Sequence, residues 1–323
     1  IRAKTAVNAP EVNRSRSLYV KWERTVYDKK DPNSAGHSRP SLWLVKEIFY
    51  PLTTPEAVTA TYEGGEVLVG TVGSDEEMNT PLMLTDAAFW KVYQFRFLAG
   101  KPFTEADFQS GMKQAVIAKS VARRLFGGAE NAIGKDILVN FAAYTVCGVV
   151  DDVNRFCEFT WSEVYAPYTS NAIASEAEAG QTSGNNVITI LARSTDDFDA
   201  IRNEVARGVA QINTTLGDME LQLMGQPDNF RMQLNRKFAN QYENLNANFW
   251  KYGIMILIIL LVPAINLSGL TNTRMRRRLE ELGIRKAFGA TRNELVWQVL
   301  NENLVLTVMG GLLGLHWLIC SCG

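Results

Sequence analysis

Residues 249–270 read FWKYGIMILIILLVPAINLSGL, residues 271–294 follow as TNTRMRRRLEELGIRKAFGATRNE, and residues 295–320 close the run as LVWQVLNENLVLTVMGGLLGLHWLIC. Two apolar segments flank a basic, glycine-punctuated hairpin. Each holds about the ~20 residues that a helix rising 1.5 Å per residue needs to cross a ~30 Å hydrocarbon core. The pattern predicts transmembrane helices over about 251–271 and 303–320, joined by a basic hairpin over about 272–295. Such segments can also form a pair of buried core helices in a water-soluble protein. The short basic turn argues against that arrangement.

The hairpin carries Arg274, Arg276, Arg277, Arg278, Arg285, Lys286 and Arg292 against Glu280, Glu281 and Glu294. An excess of positive charge between two spans faces the cytoplasm, so residues 1–248 are expected on the far side, as a periplasmic or extracellular head. Trp250, Tyr252 and Trp317 stand where amphipathic rings belong at a lipid boundary. The expected location is the bacterial inner membrane, with residues 1–248 in the periplasm.

The whole-chain averages, a net charge of −1 and a mean hydropathy of −0.08, conceal two unlike parts. Residues 249–323 hold eight Lys or Arg and four Asp or Glu, which leaves 25 and 30 of the chain's 33 and 34 to residues 1–248. A mildly acidic head lacks the concentrated basic face that phosphate backbones require, so no nucleic-acid partner is expected. Residues 1–20 are too charged for a signal peptide, although a head placed outside must be exported. With CSCG closing the chain as the second span emerges, we expect a fragment of a longer protein. Cys147 and Cys157 could pair in an oxidising compartment or remain two part-buried thiols. Cys320 and Cys322 show no metal-site spacing.

Along the head the pattern is mixed α and β. SLYVKWERTV alternates as a half-buried strand, Pro40 and Ser41 open a short helix through SLWLVKEIF, and AVTATYE and EVLVGTV follow as strands. Residues 28–40, DKKDPNSAGHSRP, read as a polar loop. A second strand, helix, strand unit runs over 186–224. There Ser194 or Thr195 caps a helix with Asp196 and Asp197 in its first turn and Phe198, Ile201, Val205, Val209 and Ile212 at helical spacing. Between the units, residues 84–170 alternate short strands with one brief helix, capped by Ser120 and closed by Gly127 and Gly128. The fold class read from this is α+β: a βαβ-type part over about 1–83 and 185–245, a strand-rich insertion over about 84–180, then membrane helices over 249–323.

The order TDAAFWKVYQFRFLAGKPFTEADF, AVIAKSVARRLFGG, AIGKDI, YTVCGVVDD resembles the periplasmic core domain of MacB-type ABC transporter permeases. NLSGLTNTRMRRRLEELGIRKAFGATRNEL, then LNENL and GGLLG, resembles the FtsX-type permease module, with Glu281, Gly283, Arg285, Lys286, Ala287, Gly289, Ala290 and Arg292 in the family's order. The resemblance implies four membrane helices with the head between the first and second, and a head with a βαβ-type porter part and a strand-rich insertion. The first and fourth helices are not matched here. It also implies an ABC ATPase subunit as partner and a second permease copy, with a membrane-fusion protein and outer-membrane channel in a tripartite pump.

The hairpin can also be read without the family. Residues 275–288 can form a helix with Leu279, Leu282 and Ala287 on one face and arginines on the other. Gly289 can take the left-handed conformation that ends it, and Thr291 with Glu294 makes a capping box for the next helix. A stiff elbow joined to two spans can transmit a push, and the resemblance implies that the ATPase docks there. Arg278, Glu281, Gly283, Arg285, Lys286, Gly289, Ala290, Arg292 and Glu302 are the candidate coupling residues. Lipid anchoring by the arginines is the plainer role. Gly310, Gly311 and Gly314 form a small-residue stripe for close helix packing. Glu302 must pair or reach water.

The search for catalysis is negative. Only His37 and His316 are available for general-base or metal chemistry, and Asp151 and Asp152 read as a solvated turn rather than a cation site. In GAENAIGKD the glycines Gly128 and Gly134 are one residue too far apart for a phosphate loop, and Asp136 replaces the required hydroxyl. No catalytic, cofactor or metal site is expected. The expected function is a non-enzymatic permease subunit that moves its external head, for efflux or export. An FtsX-like or peptide-sensing regulator and a lipoprotein-releasing permease are the alternatives.

Overall fold

Leu18 and Val20 point to one face of a strand and Tyr19 to the other, and all three are fully buried. This strand, β1 (Ser17–Val20), therefore lies inside the molecule with a core on each side. The computed structural model describes residues 10–71, 73, 76–236, 249–261, 263, 265 and 279–321. They belong to two compact units, Ile1–Leu245 and Asn246–Gly323.

In the first unit, β1 is followed by a hairpin of β2 (Glu23–Asp28) and β3 (Asp31–Pro40). Helix α1 (Leu42–Leu44) starts at Ser41, whose hydroxyl accepts from the Leu44 amide at 3.2 Å, and runs into a π-helical turn over Val45–Phe49. The long β4 (Ala57–Thr71) and β5 (Glu77–Thr85) come next. Towards the other end lie β11 (Ser183–Gly184), β12 (Asn186–Leu191), α6 (Phe198–Thr215), β13 (Glu220–Gln222), β14 (Asp228–Asn229) and α7 (Phe230–Asn235). The strands order as β14-β1-β12-β4, every neighbouring pair antiparallel. Strands β1 and β4 thus run the same way with β12 between them, and β12 and β14 run the same way with β1 between them. Two β-α-β units interleave, which is the split βαβ arrangement of ferredoxin-like sheets.

The intervening residues supply α2 (Phe89–Val92), β6 (Phe97–Gly100), α3 (Glu105–Gln109), β7 (Gln114–Ala118), α4 (Lys119–Phe126), α5 (Ala129–Ala132), β8 (Asp136–Val139), β9 (Ala142–Val150) and β10 (Val164–Pro167). Several short helices therefore stand where one was expected. The pairings β4–β5, β5–β10, β10–β7, β7–β9, β9–β8 and β8–β4 close on themselves, so six strands form a small barrel. Strand β4 serves both structures. Its residues 57–62 pair with β12 and its residues 69–71 with β8, and the register shifts at Glu63/Gly65 where it passes from one to the other.

Packing follows from the pleat. Leu82 and Leu84, Ala115 and Ile117, and Val164 and Ala166 join the core inside the barrel, which continues beneath α1 and α6. Their opposite-facing neighbours Met83, Val116 and Tyr165 join a second core with Phe89, Tyr93 and Phe103. Tyr19, Val187 and Leu191 of β1 and β12 enter that same second core, which cements the barrel to the split βαβ sheet and its helices, an α/β sandwich. The Phe89 ring lies 5.0 Å from Tyr93 and 5.9 Å from Tyr165.

Two further expectations are corrected. Residues 31–40 are not a loop: they form β3, which pairs with β2 from Glu23↔Ser38 to Asp28↔Asp31 and so belongs to the separate sheet β11-β3-β2-β13. Ladder hydrogen bonds, not apolar alternation, hold this exposed strand. Helix α4 is capped at Ala118 rather than Ser120, with no capping hydrogen bond from that residue's side chain, and the Asp152 carboxylate accepts from the Ser120 amide at 2.9 Å. Gly127, at φ +75°, ends α4 as anticipated.

In the second unit, residues 249–261 form helix α8, followed by α9 (Leu279–Ala287) and α10 (Arg292–Ser321). Among the described residues no helix is long and apolar enough to cross a membrane. The first expected span continues into residues outside the description, as do the side chains from Leu312 onward in the second.

Phe89→Ala should destabilise the head by about 3–5 kcal/mol. It should leave one cooperative denaturant transition, because the lost ring belongs to both substructures; two separated transitions would show that barrel and sandwich unfold independently. A pH dependence follows from Glu204 on α6, which accepts from the Thr53 amide at 2.8 Å, the Thr53 hydroxyl at 2.9 Å and the Thr54 amide at 3.2 Å. Desolvation raises its pKa, but these hydrogen bonds outweigh it and leave the value below the ordinary 4.5. The clamp's stabilisation is complete above pH 4.5 and is lost as pH falls through the depressed folded value. Acid titration of stability should accordingly be less steep in Glu204→Gln than in the parent, and equal slopes would remove the clamp from the account.

Candidate functional site

The elbow between α9 and α10 is built by local chemistry. Glu280 and Glu281 in the first turn of α9 and Arg285 and Lys286 in its last complement the helix dipole. At the C-terminus, the Ala290 amide donates to the Arg285 carbonyl and the Gly289 amide to the Lys286 carbonyl, both at 3.1 Å. This is a Schellman motif, and Gly289 supplies its left-handed residue at φ +95°. The chain then enters α10 through a capping box: the Thr291 amide donates to Glu294 Oε2 at 2.9 Å, and the Glu294 amide to Thr291 Oγ1 at 3.4 Å. The donation from the Thr291 amide is the largest of the effects that lower the Glu294 carboxyl pKa. Arg285 Nη1 donates to Gln298 Oε1 at 2.9 Å and ties α9 to α10 across the bend.

The elbow presents both charge and apolar surface. Glu281, Gly283, Arg285, Lys286, Gly289 and Arg292 are exposed, and Ala290 is half-buried. Ile284 and Phe288, four residues apart and therefore on one helix face, are 59% and 89% exposed. Their pattern escaped the reading of the sequence, which assigned Leu279, Leu282 and Ala287 to the apolar face. Arg278 lies outside the described residues, as does the side chain of Glu302. Gly310, Gly311 and Gly314 all fall within α10, and a Cβ added at Gly310 or Gly311 would meet open space.

A cleft of about 320 Å³ beside Tyr50 and Phe108 contains Asp86, the one fully buried carboxylate there. Burial pushes the Asp86 pKa up, while Thr59, Tyr50, Ala60 and Phe89 all donate to it at 2.6–3.0 Å. Every lone pair that could serve a substrate is thus engaged in holding α2 against β4. Asp151 lies 3.8 Å from Arg96 and 3.9 Å from Lys119, and Asp152 caps α4, so neither forms a cation site. Cys147 and Cys157 are free thiols; burial pushes Cys147 up to about 12. Among the described residues no group of acidic, Cys or His side chains could hold a metal ion.

Gly289→Val forces a branched side chain into the left-handed region at a cost of about 1–2 kcal/mol. Amide exchange at Phe288–Ala290 should speed about tenfold; unchanged exchange would show that the turn is held by other means.

Comparison with known proteins places these features in a family. Residues 3–207 match the MacB-like periplasmic core domain, and residues 253–319 match the FtsX-like permease C-terminal region. The ABC transporter permease YknZ of Bacillus subtilis is 26% identical over 242 residues, covering 75% of this chain and 57% of that protein. The macrolide export ATP-binding/permease protein MacB of Wolinella succinogenes is 26% identical over 291 residues, covering 88% of this chain and 42% of its own length. The pyoverdine export ATP-binding/permease protein PvdT of Pseudomonas syringae is 27% identical over 232 residues, with coverages of 71% and 33%. The chain thus spans from a third to somewhat over half of these relatives. Among solved structures, a domain of a permease protein from Porphyromonas gingivalis superposes with a TM-score of 0.50 at 16% identity, covering 67% of this chain and 92% of that one, a likeness of fold. The chain belongs to the family of permeases that carry a MacB-like periplasmic core domain, here joined to an FtsX-like permease C-terminal region.

Proposed function

We propose that the chain is the permease part of an ABC exporter, without catalytic chemistry of its own, and that it converts ATP-driven motion of a partner into movement of its external head. The observation that carries this reading is the elbow. A Schellman motif, a capping box and the Arg285–Gln298 bond fix its shape from both sides of the turn, and Ile284 and Phe288 project from it. Residues that are apolar, exposed and rigidly presented at i and i+4 are the anchors of helix-in-groove docking. The occupant of this reading is an ATPase, in keeping with the ATP-binding part named in the MacB and PvdT relatives.

The apolar segments over about 251–271 and 303–320 serve as the spans, with the elbow on the cytoplasmic side and the head outside. Candidate coupling residues are Glu281, Arg285, Lys286 and Arg292, with Arg278 and Glu302 completing the set. The stripe of Gly310, Gly311 and Gly314 packs against a second permease copy or another membrane helix of the assembly. The names of the export relatives support export as the direction; in this reading the substrate is periplasmic or membrane-associated and leaves through a membrane-fusion protein and an outer-membrane channel.

The test is purification of the tagged full chain from membranes, with cysteines placed in the elbow and in β3 probed by an impermeant reagent from each side. An ATPase subunit should co-purify. Ile284→Asp and Phe288→Asp should each weaken its retention by about 2 kcal/mol, roughly thirtyfold. Access to elbow and head from the same side, or retention unaffected by both substitutions, would overturn the reading.

A further inference from the structure

The cleft beside Tyr50 and Phe108 is lined by charge of one sign. Tyr50, Leu52 and Val58 of the split βαβ part line it, as do Glu105 and Phe108 on α3 of the insertion and Ala88 where β5 leads into α2. Its charged lining residues are Glu56, Asp86 and Glu105, and no Lys or Arg stands among the described residues around it. At about 320 Å³ it falls at the small end of ligand pockets, which run from ~300 to ~1,000 Å³.

The three carboxylates differ in what they have left to offer. Glu56 is neutralised by Arg16 at 2.5 Å and Lys91 at 3.9 Å. Asp86 takes its hydrogen bonds from two hydroxyls and two backbone amides, all uncharged. Glu105 is exposed, its carboxylate accepts from Gln109 Nε2 at 2.7 Å, and no ion pair among the described residues engages it. The helix that carries it is well fixed. In the capping box of α3 the Thr104 amide donates to Asp107 Oδ2 at 2.8 Å and the Asp107 amide to Thr104 Oγ1 at 3.2 Å. The Thr169 hydroxyl donates to the Phe108 carbonyl at 2.5 Å, and the Phe108 ring meets Tyr168 edge-on at 4.8 Å. Glu105 is thus presented to the cleft by a backbone already in place.

We propose that this cleft binds an organic cation, a protonated amine carried on a small apolar body. The ammonium donates to Glu105, and the body lies against Leu52, Val58 and the aromatic lining of Tyr50 and Phe108. A carboxylate without a competing cation, set beside aromatic side chains, attracts an ammonium group through a charge-assisted hydrogen bond and through the ring quadrupoles. The same charges repel an anion. A metal ion does not fit, since among the described residues no group of acidic, Cys or His side chains could hold one. The cleft lies wholly within the first compact unit, so the assignment stands apart from the membrane reading of elbow and spans.

The experiment uses the full chain in phosphatidylcholine nanodiscs at pH 7, with empty nanodiscs as the blank and three probes that share an indole ring: cationic tryptamine, neutral tryptophol and anionic indole-3-acetate. Titrations followed by saturation-transfer NMR should show tryptamine binding about tenfold more tightly than either of the others. Glu105→Gln should weaken tryptamine about tenfold and leave tryptophol unchanged. Glu130→Gln, which removes an exposed carboxylate of α5 outside the lining, should change neither. Ala88→Leu, which fills the cleft, should abolish tryptamine binding in a head whose denaturation midpoint is kept; if that variant does not fold, Glu105→Gln at its exposed position carries the test. Equal affinity for the three probes, no binding of tryptamine, or tryptamine binding unchanged by Glu105→Gln would each overturn the proposal.

Discussion

The head depends on strands buried on both faces. In β5, β7 and β10 alternate side chains enter different cores, so Met83, Val116 and Tyr165 face one hydrophobic cluster while their neighbours on either side face another. A one-residue slip in any of these strands would exchange the two sets and misfill both cores. Register is therefore specified twice, and barrel and sandwich are held as one body. Such rigidity suits the proposed role, in which the head is displaced by forces applied elsewhere and a compliant joint would absorb the motion.

The buried charges serve the same end. Asp86 is surrounded by four donors, Glu11 holds Arg14 and a loop, and Glu23 accepts from three hydroxyls. Asp228 and Arg236 form a fully buried bidentate pair at 2.5 and 3.0 Å, where removal of one partner would cost about 3–5 kcal/mol. That pair closes the head beside α7. None of these carboxylates is left to act on a substrate, and the polar interior fastens segments to one another.

Function is thereby displaced to surfaces. The elbow presents Ile284 and Phe288 from a turn whose hydrogen bonds are all local, and the cleft beside Tyr50 presents Glu105 from a helix equally well tied. In both places a rigid backbone fixes a side chain that a mobile loop would leave unplaced. Exposure sustained by such geometry is the signature of a contact surface.

Much was legible in the residues themselves because its causes are local. Ser41 before SLWLVKEIF, the periodicity of α6, Gly127 after α4, and Gly289, Thr291 and Glu294 at the elbow each encode a start or a stop through bonds spanning only a few residues. The polar strand β3 was missed because its ladder to β2 leaves no hydrophobic alternation, and the cap of α4 was missed because its donor and acceptor, Ser120 and Asp152, are far apart in sequence. The closure of six strands into a barrel and the interleaving of β1 with β12 also arise from pairings between distant residues. The sequence by itself determined the elements whose signals are local, the elbow's shape and the division into a polar head and an apolar tail, since near neighbours along the chain decide those. Only the tertiary structure decided which faces became core and which stayed exposed, because burial depends on what the rest of the chain brings to each face.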